Sequence, residues 1–284
     1  MKRNGRCKGV IIFHRSLRPL ISFVIVMSLF FIGLFTIASW FFPEGKDWVS
    51  CYFTILSACA IYVISWWFLR LEGLRLLDVG LSWSSMPPAV LAIAGFWVVI
   101  NGLSTVLVWL ITGNLAVGMF QVVTWPLWGI KAVEQWLFVG PAEELAIRAY
   151  MQNKFVALLD GERSYLLKID CIILTSMFFA AWHIPRLLFV GITSLNALFN
   201  IISLFCIGLF LGLLYDVTRN VVFVGLLHGT VNFQPLFIPF PEEVERFRHA
   251  IMLSGLIMIL AEAALYRRWA RTHRERDFRP VTSD

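Results

Sequence analysis

The stretch Gly140-Pro141-Ala142-Glu143-Glu144-Leu145-Ala146-Ile147-Arg148 sets two adjacent carboxylates and a guanidinium in otherwise apolar surroundings. An ionisable side chain at the centre of a membrane-spanning helix costs about 2.5–3.5 kcal/mol on insertion scales. Such a cluster calls for compensating partners. Neighbouring residues on a helix point about 100° apart, so the two glutamates cannot serve the same centre equally. Glu144 reaches Arg148 one turn on, a carboxylate–guanidinium pair in the favoured order, and the spacing predicts a supporting role for both. Glu143 has only Val139 and Ile147 at the equivalent distances. Its partner must come from another helix or a wet cavity, which leaves it free to take a proton from water as a general base. Pro141 removes one helical hydrogen bond and loosens the helix just before the pair. The competing reading is a buried charge cluster that only fixes helix packing.

Two further segments carry polar residues in apolar runs. In Phe179-Ala180-Ala181-Trp182-His183 the imidazole lies one turn after Phe179, on the same face. In His228-Gly229-Thr230-Val231-Asn232 the histidine and asparagine share a face, where an asparagine can orient an imidazole or donate to an oxyanion. Taken singly, each could be an interfacial histidine or a hydrogen-bonded pair joining two helices. Of the five histidines, His14, His249 and His273 fall in expected loops, tails or span ends. His183 and His228 alone lie in apolar spans. A carboxylate and two imidazoles on three helices suffice to activate water in a dry place. Glu143 would take the proton, while a histidine and Asn232 would stabilise the tetrahedral oxyanion. The same Glu143, His183 and His228 could instead hold zinc, since two histidines and one glutamate form a hydrolytic zinc set. The HExxH signature is absent. No cofactor is needed for the glutamate chemistry, and zinc is the alternative.

The elements that position these residues read as membrane spans. The 284 residues are 59% hydrophobic and 15% charged, with mean hydropathy +0.76. Soluble domains average about 25% charged residues. Apolar runs of the roughly 20 residues a span requires predict an all-α polytopic protein with about eight transmembrane helices. Their ranges are about 20–42, 48–69, 87–111, 125–159, 168–183, 195–215, 221–237 and 250–269. The basic start at residues 1–19 resembles the head of a signal peptide, but the run after it is too long for a signal core and reads as a retained helix. An amphipathic surface segment is expected at 70–78, and a basic tail at 270–284 is expected to lie against anionic headgroups. The domain proper then spans 20–269, with the polar motifs in 125–234. With eight spans, eighteen basic residues fall on the side of the termini; the other side holds Lys46, Arg186, Arg246 and Arg248. That asymmetry places both termini in the cytoplasm. The net charge of +6 is dispersed among the short connections and the two ends, so no nucleic-acid partner is expected. The five cysteines show no ligand-like spacing and read as apolar filler.

The three polar segments, in this order, resemble the CAAX-protease and bacteriocin-processing family of intramembrane proteases. That family's pattern is EExxxR, then FxxxH, then HxxxN or HxxxD, on successive helices. Here these are Glu143-Glu144…Arg148, Phe179…His183 and His228…Asn232, with no departure in the motif residues. The likeness covers about 125–234 and extends to the first three spans only in hydropathy. It implies a fold like type II CAAX prenyl endopeptidases and a glutamate-type mechanism. Glu143 would be the base, His183, His228 and Asn232 would line the site, and Glu144, Arg148 and Phe179 would support it. The resulting expectation is an endopeptidase in the bacterial cytoplasmic membrane, acting on membrane-associated peptides or proteins within the lipid bilayer. The alternatives are a non-proteolytic immunity or scaffold protein that keeps the fold, and a transporter using Glu143 as a proton relay.

Overall fold

In lipid every backbone N–H and C=O must find its partner within the protein, so long apolar runs fold as helices. The computed structural model describes residues 10–41, 48–114, 124–189, 194–237, 247–273 and 279–282. The first three long helices are α1 (Arg18–Phe41), α2 (Trp48–Leu71) and α3 (Met86–Thr112). Helix α3 opens on Pro87 and Pro88, where a missing N–H costs nothing. It closes on Gly113, whose φ of 69° takes up the left-handed end of the helix. Between α2 and α3 the expected surface segment forms the end of α2 and a 3₁₀ turn at Leu76–Val79. That turn is closed by the Arg75 amide donating to Asp78 Oδ2 at 2.9 Å.

The stretch expected as one long helix over 125–159 is helical throughout but changes pitch. It runs through α4 (Trp125–Val133), a π segment (Glu134–Val139), α5 (Gly140–Glu144), a second π segment (Leu145–Gln152) and α6 (Asn153–Leu158). Pro141 cannot bond the Leu137 carbonyl, and the Tyr62 hydroxyl of α2 reaches that oxygen at 3.5 Å. Then follow α7 (Tyr165–Trp182), the short α8 (Ile184–Phe189), α9 (Ser194–Thr218), α10 (Val221–Asn232) and α11 (Arg248–His273).

This is a helical polytopic membrane fold. Among the described residues, five helices are long and apolar enough to cross a membrane: Arg18–Ala38, Trp48–Leu71, Leu76–Thr112, Tyr165–Leu188 and Leu195–Thr218. The other three expected spans differ in kind. The 125–158 stretch carries several charges and two π segments, α10 has 12 residues, and the apolar part of α11 is Leu253–Leu265. The outer faces of α1, α2 and α3 present Leu29, Leu56, Leu91 and Val98 with most of their surface uncovered. Large exposed apolar faces of this kind suit contact with acyl chains.

A feature absent from the sequence reading ties two distant segments together. Strands β1 (Val10–Phe13) and β2 (Arg279–Thr282) pair in parallel, Val10 opposite Arg279 and Phe13 opposite Thr282. The segments that flank the helical bundle in the chain therefore meet at one end of it. Beside β1, Lys154 and Glu72 form an ion pair at 2.8 Å with neither side chain exposed. Glu72 Oε2 accepts the His14 amide at 2.8 Å, and the Lys154 ammonium donates to the His14 carbonyl. Expected basic residues at 1–9, Lys46, Arg246, Arg274 and Arg276 lie outside the described residues.

Candidate active site

Close helix approach builds the site. Helix α10 lies against α5 and the first π segment through three glycines. A Cβ on Gly140 would fall 2.3 Å from the Gly225 carbonyl oxygen, one on Gly225 2.6 Å from Pro141 Cα, and one on Gly229 2.2 Å from the Gln135 carbonyl oxygen. Small residues one turn apart let two backbones nearly touch, and here they deliver His228, which neighbours Gly229, to the two glutamates. Alanine at Gly229 is expected to force the helices apart and reduce membrane accumulation severely. Gly102→Ala should be neutral, because no atom lies within 4 Å of a Cβ there. Protein levels of the two variants, compared by immunoblot of membranes, test the contrast.

Glu144 is the buried centre of a three-residue array. Its Oε2 accepts from Arg148 Nε at 2.9 Å, and its Oε1 is 2.9 Å from His228 Nδ1. Glu144 and Arg148 are both fully buried. The Arg148 guanidinium also lies over the Phe179 ring, 5.8 Å from its centroid, so Phe179 supports the array from α7. An ionised carboxylate only accepts hydrogen bonds, so His228 donates from Nδ1 and turns Nε2 outward. That nitrogen stands 3.7 Å from Glu143 Oε2. Glu143 itself keeps 14% of its side chain exposed, and its Oε2 makes no hydrogen bond among the described residues.

On its other side Glu143 borders a narrow crevice with room for about one water, walled by Met27 and Phe31 of α1, Ala146 and Ile147, and Phe179, Trp182 and His183. The ring of His183 packs edge-on against Phe179, with centroids 4.7 Å apart. Its Nδ1 is 2.8 Å from the Phe179 carbonyl. A carbonyl only accepts, so His183 too is a donor at Nδ1, which leaves Nε2 as the free nitrogen. Asn232 stands apart from this crevice. It is exposed at the end of α10, one turn beyond His228, and its Nδ2 donates to Gln135 Oε1 at 3.3 Å.

The structure thus gathers Glu143, Glu144, Arg148, Phe179, His183 and His228 around one locus and leaves Asn232 outside it, on Gln135. It also brings in residues the sequence reading passed over. Met27, Phe31 and Trp182 wall the crevice, and their apolar character gave no signal. Glu134 and Gln135 lie on the first π segment, and an acidic residue in an apolar run was itself a readable signal. Among the described residues no three His, Cys, Asp or Glu side chains are placed to hold a metal ion.

The fold and the buried carboxylate–imidazole centre define a helical polytopic membrane protein with a polar site inside its bundle. Residues 124–234 match the model of the Rce1-like family of type II CAAX prenyl endopeptidases. The match runs from the start of α4 to just past the end of α10 and contains every polar residue of the site. No curated protein matches the chain.

Proposed function

We propose that the protein is an intramembrane endopeptidase in which Glu143 activates water, acting on membrane-associated peptides or proteins. One observation carries this reading: a carboxylate oxygen without a hydrogen-bond partner among the described residues lies 3.7 Å from one imidazole and lines a crevice with a second, and both imidazoles have Nδ1 already committed. The family match to 124–234 supports it. Water entering the crevice would meet two acceptors, Glu143 Oε2 and neutral His183 Nε2. With both hydrogens held, its lone pair is directed to the scissile carbonyl carbon. Glu143 takes one proton as the carbon–oxygen bond forms. The carbonyl oxygen becomes an oxyanion met by the Asn232 amide and by His228 when it carries protons on both nitrogens. Collapse breaks the C–N bond, and the proton held by Glu143 leaves with the amine.

Glu144 and Arg148 act by holding His228, and Phe179 by holding both His183 and Arg148. The cytoplasmic side, carrying both termini, is the proposed side of substrate entry, from the distribution of basic residues. The bacterial cytoplasmic membrane is the proposed location.

The name of the matched family makes a farnesylated CAAX-type peptide, internally quenched and presented in proteoliposomes, the first probe. Wild-type protein should cleave it, and the His228→Ala variant should not. A biological phenotype kept by His228→Ala without any cleavage would favour a scaffold or immunity role. Proton-coupled uptake lost on substitution of Glu143 would favour transport. Chelation is expected to leave the cleavage rate unchanged, because no metal ligand set is assembled among the described residues. A loss restored by zinc would overturn the glutamate mechanism.

A further inference from the structure

Glu134 is a further buried acid, outside the array described above. It lies at the start of the first π segment, 4% exposed, and one of its oxygens, Oε2, has no hydrogen-bond partner among the described residues. Its other oxygen accepts from Gln135 Nε2 at 2.7 Å. Gln135 Oε1 in turn accepts from Asn232 Nδ2 at 3.3 Å. These contacts form a chain of three side chains that runs from a buried carboxylate to the exposed end of α10. Nearby, the Trp136 indole donates to the Phe233 carbonyl at 2.8 Å and fixes the two backbones relative to each other.

The chain has a direction, and the direction comes from its buried end. An amide can face a neighbour with either its oxygen or its nitrogen, and the two faces are nearly the same in shape. A carboxylate has no such choice, since when ionised it only accepts. Gln135 turns its nitrogen toward Glu134 and its oxygen toward α10, the orientation that an ionised Glu134 requires. Asn232 must then turn its nitrogen toward Gln135. One Nδ2 hydrogen is consumed by that bond, which leaves the other available to donate.

We propose that Glu134 is a positioning residue that, through Gln135, fixes the amide of Asn232 with its nitrogen as the donor at the site. The proposal rests on the reading of Asn232 as an oxyanion donor. Without the carboxylate, both amides could reverse together and present the Asn232 oxygen, which repels an oxyanion instead of stabilising it.

Three near-isosteric variants of the full-length protein in lipid nanodiscs separate this from a structural role: Glu134→Gln, Gln135→Glu, and the two combined. In Glu134→Gln the buried group can donate or accept, so the direction is lost. In the combined variant the carboxylate sits at position 135. It still accepts from Asn232 and now receives from the amide introduced at position 134, so the direction at Asn232 is restored. The readout needs no substrate: the side-chain ¹⁵N–¹H pair of Asn232, identified by its disappearance in Asn232→Asp.

Wild-type protein should show one hydrogen-bonded and one free Nδ2 proton. The two signals should converge or broaden in Glu134→Gln and return in the combined variant. A wild-type-like pair in Glu134→Gln overturns the proposal, as does a failure of the combined variant to restore it while remaining folded. Cleavage of the quenched farnesylated peptide adds a second arm. Glu134→Gln should lower kcat about tenfold or more with KM little changed, because an oxyanion donor acts only in the transition state, and the combined variant should recover it. If Asn232→Ala leaves kcat intact, the oxyanion role of Asn232 fails. If Asn232→Ala is slow and Glu134→Gln is not, only the positioning role of Glu134 fails.

Discussion

Replacing Glu143 with glutamine is expected to lower the cleavage rate by about 10²–10⁴-fold, the usual contribution of a general base, while the protein stays folded in the membrane. The fold should tolerate the change because Glu143 Oε2 makes no hydrogen bond among the described residues and its nearest charged partner, His228 Nε2, is 3.7 Å away. Glutamine fills the same volume and removes a charge from surroundings that solvate it poorly. What it cannot do is accept a proton from water at neutral pH. Initial rates with the quenched peptide, set beside melting temperatures of the two purified proteins in one detergent, give both halves of the comparison. A variant with wild-type stability and a rate within tenfold of wild type would remove Glu143 from the proton-transfer step.

Arg148→Met should fail in the opposite way, by unfolding. The guanidinium and Glu144 are fully buried and joined at 2.9 Å. Removing one member leaves the other as an uncompensated charge, which typically costs about 3–5 kcal/mol. Against a net stability of about 5–15 kcal/mol for a typical domain, that is enough to deplete the protein from membranes. Glu144→Gln should be similarly severe. It strands Arg148 with only Gln152 Oε1 at 3.5 Å and the face of Phe179, and it frees His228 Nδ1 from its acceptor. The combined Glu144→Gln and Arg148→Met variant should be less destabilised than the sum of the two, since neither charge is then left alone. Thermal unfolding of the four proteins measures the coupling. Strict additivity would mean that the pair does not act as a unit.

The two substitutions separate a residue placed for chemistry from residues placed to hold it. Glu143 and Glu144 are adjacent in the chain and identical in type. Helical pitch alone turns one toward the crevice and the other toward Arg148, and their expected phenotypes differ accordingly. The same logic applies across helices. His183 and His228 each spend Nδ1 on a fixed acceptor, the Phe179 carbonyl and the Glu144 carboxylate. Both therefore turn the same ring nitrogen outward.

Contacts within one helix were legible in the sequence because backbone geometry dictates them. The spacing of Glu144 and Arg148 implied their pair, and that of Phe179 and His183 implied their packing, since residues four apart share a face whatever the rest of the chain does. The membrane class followed from hydropathy on the same ground, because lipid leaves the backbone few alternatives to a helix. Contacts between helices were not legible. That His228 donates to Glu144 while only approaching Glu143, and that Asn232 turns to Gln135, depends on how far α10 rotates and how closely it approaches. Gly140, Gly225 and Gly229 set that approach by what they lack. The π segments on either side of α5 and the union of β1 with β2 were equally hidden. The strand pairing arises between distant parts of the chain, which side-chain type and spacing along one helix do not encode.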